Sequence, residues 1–255
     1  MTETGYISYS DSRFNYPYKG FCSIVCGIID MALEHYVVNN NFNIQISENQ
    51  TLELFDNISP KTNQSYDVGS WWLEKYFSNE IYQGQYNAHT PANLDNLKIK
   101  NKVYTHILKI KDKYLEKFET KRLELGIDED TLGIQIRGTD KKQEIPEIVT
   151  SNIFNLIDSR KEKKIFVATD DKYYLDCLLD RYNERIIYDK TLQISSNFQS
   201  LHHNCSNRSQ INEEVLSSVY LLSKCSQFLY SFSNVSLLAL IMGANNFKFI
   251  DYLNK

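Results

Sequence analysis

Three short polar segments hold the residues best suited to binding chemistry. The first is Arg137, Gly138, Thr139, Asp140 and Lys141; the second Thr169, Asp170 and Asp171; the third Ser231, Phe232, Ser233 and Asn234. Each directly follows an apolar run that reads as a buried strand. Charge at such a point is costly unless it faces solvent, a partner or a ligand. Arginine offers a planar fork suited to phosphate oxygens, and Gly138 lets the backbone turn closely around one. The structural alternative is an arginine paired with an aspartate. In the second segment the carboxylates can accept hydrogen bonds from ribose or base donors, while Asp171 also suits the cap of a following helix. Two adjacent carboxylates without a third ligand do not make a metal site. In the third segment, hydroxyls and free N–H groups at a helix amino terminus form an anion site, or simply a Ser or Asn cap. Arg137, Lys141 and a helix terminus at one mouth, with carboxylates beside them, compose the environment of a nucleotide diphosphate.

The elements that must position these segments follow from periodicity. Strands are expected at 131–136, 164–168, 185–188, 228–231 and 247–250, alternating with helices at 145–157, 173–182, 212–224 and 234–242. That alternation means a parallel sheet covered on both faces, with ligands bound outside the carboxyl ends of its strands. Before it, the apolar residues Ile24, Val25, Ile28, Ile29, Ala32, Leu33 and Tyr36 recur at helical spacing after Gly20. A short strand is expected at 42–46, a loop at 57–69 and a core-facing aromatic helical turn at 71–77. A long charged helix is expected over 94–125, with an apolar face of Val103, Ile107, Ile110, Tyr114 and Phe118 and its lysines in solvent. Its end marks an expected boundary between an amino-terminal α/β domain, residues 1–125, and a Rossmann-like donor-binding domain, residues 126–255. Asp128, Glu129 and Asp130 precede a strand and read as a solvated turn.

Composition bounds the functional classes. The 255 residues carry a net charge of -4 and are 42% hydrophobic, with nine Gly and four Pro. A packed chain is expected, not a disordered one, and the acidity argues against a nucleic-acid partner. No stretch has the length and apolarity of a transmembrane helix, and Met1 to Arg13 lacks the pattern of a signal peptide. A soluble, cytoplasmic protein is therefore expected. Five cysteines with no CxxC pair indicate neither a disulfide framework nor a zinc cluster. No GxGxxG follows an early strand, against a nucleotide-dependent oxidoreductase.

The stretches GIQIRGTDK from Gly133, IFVATDD from Ile165 and LLSKCSQFLYSFSNVS from Leu221 resemble, in order and spacing, those of the fucosyltransferase superfamily. That superfamily includes the α1,6-fucosyltransferases, nodulation fucosyltransferases and protein O-fucosyltransferases. GFCSIVCGIIDMA from Gly20 is similar to its first glycine-containing loop and helix. The resemblance implies a compact GT-B fold of two Rossmann-like domains, with the donor site in the carboxy-terminal one. It also implies an inverting, metal-independent glycosyltransferase that uses a GDP-sugar, most often GDP-fucose, and a glycan acceptor, with no cofactor. Carried over, Arg137 holds the donor β-phosphate, and Ser231, Ser233 and Asn234 bind the diphosphate. Thr169, Asp170 and His202 line the nucleoside side, and Gly20 and Phe21 approach from the opposite domain. The chain departs from its relatives at Gln135, where many carry His, and at Gly138, where many carry a second Arg. It also lacks a carboxylate near Ser218, for which Glu213 or Glu214 can substitute. For the base that takes the acceptor proton, Glu144 comes first and Asp140 second. The alternative is a catalytically silent nucleotide-sugar or glycan-binding module of the same fold.

Overall fold

The computed structural model describes residues 5–7, 20–39, 44–46, 53–57, 92–139, 148–192, 194–195 and 207–254. In chain order these form β1 (Gly5–Ile7), α1 (Phe21–Asn39), β2 (Ile44–Ile46), β3 (Phe55–Asn57), α2 (Leu94–Ile107), β4 (Leu108–Ile110) and α3 (Asp112–Glu124). There follow β5 (Thr131–Ile136), α4 (Thr150–Asp158), β6 (Lys164–Thr169), α5 (Lys172–Tyr182), β7 (Ile186–Ile187), α6 (Arg208–Ser223), β8 (Gln227–Tyr230), α7 (Asn234–Gly243) and β9 (Phe249–Tyr252).

The last five strands make one parallel sheet in the order β7-β6-β5-β8-β9. Every residue of β5 is buried, as the centre of a sheet covered on both faces requires. The side chains alternate. Leu132, Ile134, Ile165, Val167 and Leu229 join Ile153 and Ile157 of α4 and Leu175 and Leu178 of α5 in one core. Phe166, Ala168, Phe228 and Tyr230 point the other way, into a core with α6 and α7. Gly133 serves that second face: a Cβ there would come within 3.2 Å of Cys225 Sγ, so the close approach of α6 depends on it. From β5 the chain winds outward through β6 and β7, then returns to add β8 and β9 on the other side. The carboxyl ends of β5 and β8 therefore border the point where winding reverses, the place where such sheets hold ligands.

The second core continues without a break into α1, α2 and α3. It includes Ile24, Val25, Ile28, Ile29, Val103, Ile107 and Phe118 together with Leu216, Leu222 and Leu238. Asn101 of α2 donates to the carbonyls of Ile241 (2.9 Å) and Met242 (3.3 Å), fastening α2 to the end of α7. Ala92 N–H donates to the Tyr230 hydroxyl at 2.8 Å. The apolar packing thus runs across the expected boundary at residue 125.

The long helix expected over 94–125 is two helices. Leu108 to Ile110 leave the helical path to pair antiparallel with β3, and Lys111 N–H extends that ladder to Leu54 O at 3.0 Å. Leu108 and Ile110 are buried and Lys109 is exposed, so the same residues satisfy a strand's alternation once a partner strand is present. Nor are all the lysines solvated. Lys100 is buried beside Asp30 of α1, with Nζ 2.6 Å from Oδ1, while Lys117 pairs with Glu213 and Lys121 with Asp189. The last strand begins at Phe249, because Phe247 turns into the core and stacks on Phe228. The loop at 58–69, the aromatic segment 71–77 and the start of the 145–157 helix lie outside the described residues.

Candidate functional site

At the carboxyl end of β5, Gln135 lies on the face covered by α6 and α7. It is the one amide in a strand of otherwise apolar and small side chains, and it organises three hydroxyls. Its Oε1 accepts from Ser231 Oγ at 2.9 Å, Ser233 Oγ at 3.1 Å and Ser236 Oγ. The Ser231 hydroxyl also accepts from Arg137 N–H at 2.8 Å, and Ser231 N–H donates to Gln135 O at 2.9 Å. Ser233 caps α7 by accepting from Ser236 N–H at 3.1 Å. Ser231 and Ser233, expected as diphosphate ligands, thus have their hydroxyls engaged in joining β5 to β8 and α7. What α7 presents at its amino end are the N–H groups of Asn234 and Val235, which have no acceptor one turn back in the helix, and the positive end of the helix dipole.

Arg137 follows, with its Nη1 2.8 Å from Asp170 Oδ2; both side chains are nearly buried. An ion pair is therefore present, and it joins two of the motifs. Asp170 also accepts from Gly138 N–H at 2.9 Å and Thr139 Oγ1 at 2.7 Å, locking the turn after β5 to the end of β6. Arg137 is held in place by this contact. Its charge is felt by the Cys22 thiol in the first turn of α1. Burial pushes that thiol strongly upward, and Arg137 offsets part of the shift.

Asp171 is the helix cap, accepting from Tyr173 N–H at 2.9 Å, and it is buried. The carboxylate is packed so closely against Gly138 that a Cβ on residue 138 would lie 2.5 Å from it. Thr169 accepts from Asp171 N–H at 3.1 Å. Gly20 directly precedes α1, and its carbonyl accepts from Ser23 N–H at 3.0 Å. The Phe21 ring stacks on Phe55 with centroids 6.0 Å apart, in the core. Asp140, Lys141, Glu144 and His202 lie outside the described residues.

Arg137, Gln135, Ala168, Thr169 and Asp170 form the floor of a solvent-open cleft of about 670 Å³. Ile211, Glu214, Val215 and Ser218 of α6, together with Leu192 and Val235, form its walls. Of the two glutamates left open by the sequence, Glu214 lines this cleft and holds Gln210 Nε2 at 2.9 Å, whereas Glu213 turns to Lys117. Ser218 donates to Glu214 O at 3.1 Å within its own helix. With Oε1 of Gln135 saturated by hydroxyls, the amide Nε2 is what this residue offers the cleft. Sequence reasoning missed Gln135 and Ser236 as the hub of the site; a lone amide inside an all-buried strand was the available signal. Among the described residues no three His, Cys, Asp or Glu side chains gather as metal ligands.

No family model matches the chain, and no curated protein matches it in sequence. Its fold, however, is found among solved structures. A mutant of Arabidopsis thaliana FUT1 in complex with GDP aligns over 98% of this chain and 70% of its own, with a TM-score of 0.54 and 12% identity. NodZ α1,6-fucosyltransferase soaked with GDP-fucose aligns over 57% of this chain and 47% of its own, with a TM-score of 0.41 and 14% identity. POFUT1 in complex with GDP-fucose covers 64% of this chain and 50% of its own, with a TM-score of 0.39 and 11% identity. This chain spans about half the length of these last two. At the level of fold, the chain is thus similar to the FUT1 structure.

Proposed function

We propose that this protein is a GDP-sugar-dependent glycosyltransferase, with fucose the sugar transferred to a glycan hydroxyl with inversion and without a metal, on the cytoplasmic side. The observation that carries the reading is the cleft at the ends of β5 and β6, beneath α6. It holds Arg137, paired with Asp170, together with the amino terminus of α7 and a second carboxylate, Glu214. A diphosphate suits Arg137 and the helix terminus. The donor edge of guanine, N1–H and N2–H, suits a carboxylate, and its O6 and N7 acceptors suit the Gln135 amide. The FUT1 structure of the same fold was solved with GDP, which supports the choice of nucleotide. In the transfer, the acceptor oxygen attacks the anomeric carbon while the bond to the β-phosphate oxygen breaks. Arg137 stabilises the charge that develops on the departing GDP, and Glu144, with Asp140 as second choice, takes the acceptor proton. No helix among the described residues is long and apolar enough to cross a membrane.

Incubation with a panel of GDP- and UDP-sugars, followed by nucleotide release, tests the proposal. Release from GDP-fucose is expected, with turnover lowered by about 10²–10³-fold in Arg137→Ala and in Glu144→Gln at unchanged GDP affinity. Normal turnover by Arg137→Ala removes its phosphate role. GDP binding by calorimetry with no transfer to any acceptor selects the silent binding module, which the Arg137–Asp170 pairing favours by engaging part of the guanidinium.

A further inference from the structure

One wall of the nucleotide cleft is thin. Leu192, in the turn after β7, lines that cleft together with Ile211 and Val215 of α6, and it also lines a neighbouring hollow of about 840 Å³ that reaches α3. The side chain is half-buried, and among the described residues neither hydrophobic core includes it. With open space on two sides, packing does not hold Leu192 in place. Its position depends on the hydrogen bonds of the turn that carries it.

Those bonds converge on Asp189, which is buried. Its carbonyl accepts from Leu192 N–H at 3.2 Å, and its Oδ1 accepts from Thr191 N–H at 3.0 Å and Thr191 Oγ1 at 2.6 Å. The other carboxylate oxygen accepts from Lys121 Nζ of α3, which also donates to Thr191 Oγ1 at 3.1 Å. Burial raises the Asp189 carboxyl, but the bonds from Lys121 and Thr191 outweigh it and hold the group below its ordinary value. The segment is tied at its far end as well. Ser195 N–H donates to Asp170 O at 3.0 Å, and Ser195 O accepts from Lys172 N–H at 3.1 Å. Leu192 therefore stands between two moorings, one on the sheet edge and one on α3.

The place of Leu192 says which part of a nucleotide it meets. In the sheet order β7-β6-β5-β8, the turn after β7 and the amino terminus of α7, which follows β8, lie on opposite sides of Arg137. A diphosphate held by Arg137 and α7 sends its nucleoside toward Leu192, where Ile211 and Val215 complete an apolar wall suited to the flat face of a base.

We propose that Lys121 is a positioning residue for the nucleotide site: from α3 it fixes, through Asp189, the turn that sets Leu192 against the nucleoside. The inference rests on the GDP-sugar reading above. It gives an element of the amino-terminal half a part in a cleft whose lining residues all belong to the carboxy-terminal half. Calorimetry with GDP on folded wild type, Lys121→Met, Lys121→Arg, Leu192→Ala and the double variant Lys121→Met with Leu192→Ala tests it. Lys121→Met should weaken GDP binding about twofold to tenfold, the cost of ordering a wall that is no longer preorganised. Lys121→Arg keeps the charge and the donors and should restore most of that affinity. Leu192→Ala should weaken binding too, and adding Lys121→Met to it should cost less than Lys121→Met costs alone, because the side chain it positions is gone. A merely structural lysine would lower the melting temperature and leave GDP affinity unchanged. Wild-type affinity in Lys121→Met, no rescue by Lys121→Arg, or losses that add in full would each overturn the role of Lys121 while GDP binding by the wild type stands. Absence of GDP binding by the wild type would instead remove the nucleotide reading, and this inference with it.

Discussion

Replacing Gly138 with alanine tests the central geometry of the site with one methyl group. The backbone at 138 is not in the left-handed region, so any penalty comes from contact alone. The new Cβ would lie 2.5 Å from both Cβ and Oδ2 of Asp171 and 2.9 Å from its Cγ. Asp171 cannot yield cheaply. It is 2% exposed, caps α5 through Tyr173 N–H, and follows Asp170, whose carboxylate holds both Gly138 N–H and Arg137. Overpacking at a rigid site costs about 1–3 kcal/mol. If Asp171 is pushed off the helix end, a further loss of about 1 kcal/mol follows, so about 2–4 kcal/mol is expected in urea denaturation. Displacing Asp170 should also weaken GDP binding. Asp171→Gly removes the carbon that collides and leaves an acceptable cap residue, so it alone should cost only about 0.3 kcal/mol. The double variant Gly138→Ala with Asp171→Gly should then be nearly as stable as Asp171→Gly. Additive losses in that cycle, or a Gly138→Ala protein within about 0.5 kcal/mol of wild type, would refute the packing argument.

The buried pair across α1 and α2 gives another expectation. Lys100→Met leaves the Asp30 carboxyl buried without its cation, where burial already raises its pKa, and should cost about 3–5 kcal/mol. Adding Asp30→Leu should recover much of it; urea midpoints decide, and a single variant as mild as the double would count against the pair. The Lys121–Asp189 contact predicts a pH dependence. Because the folded carboxyl lies below its ordinary 3.8, its stabilisation is complete above about pH 4 and is lost as pH falls through the folded value. The stability gap between wild type and Lys121→Met should therefore narrow between pH 5 and pH 2; a constant gap would exclude the linkage.

Much of the carboxy-terminal half was legible because its central strands are largely buried apolar runs between helical segments, so local pattern and tertiary role agree. Polar residues after three apolar runs were enough to find the carboxyl edge of the sheet. The same reasoning erred at Leu108 to Ile110, whose spacing suits a helix as well as a strand. Only the partner strand β3, over 50 residues earlier, decides between them. It also overlooked Lys100, since nothing near it in sequence shows that α1 brings Asp30 alongside.

The sequence by itself determined the parallel sheet and the residues at its carboxyl edge. These follow from periodicity and residue type, which are local properties. Tertiary structure alone decided how those residues divide their hydrogen bonds. Arg137 takes Asp170, the serines take Gln135, Asp171 packs on Gly138, and Glu214 rather than Glu213 lines the cleft. Each outcome depends on which group lies within about 3 Å in space. Two neighbours in sequence, such as Glu213 and Glu214, leave a helix about 100° apart and so meet different partners.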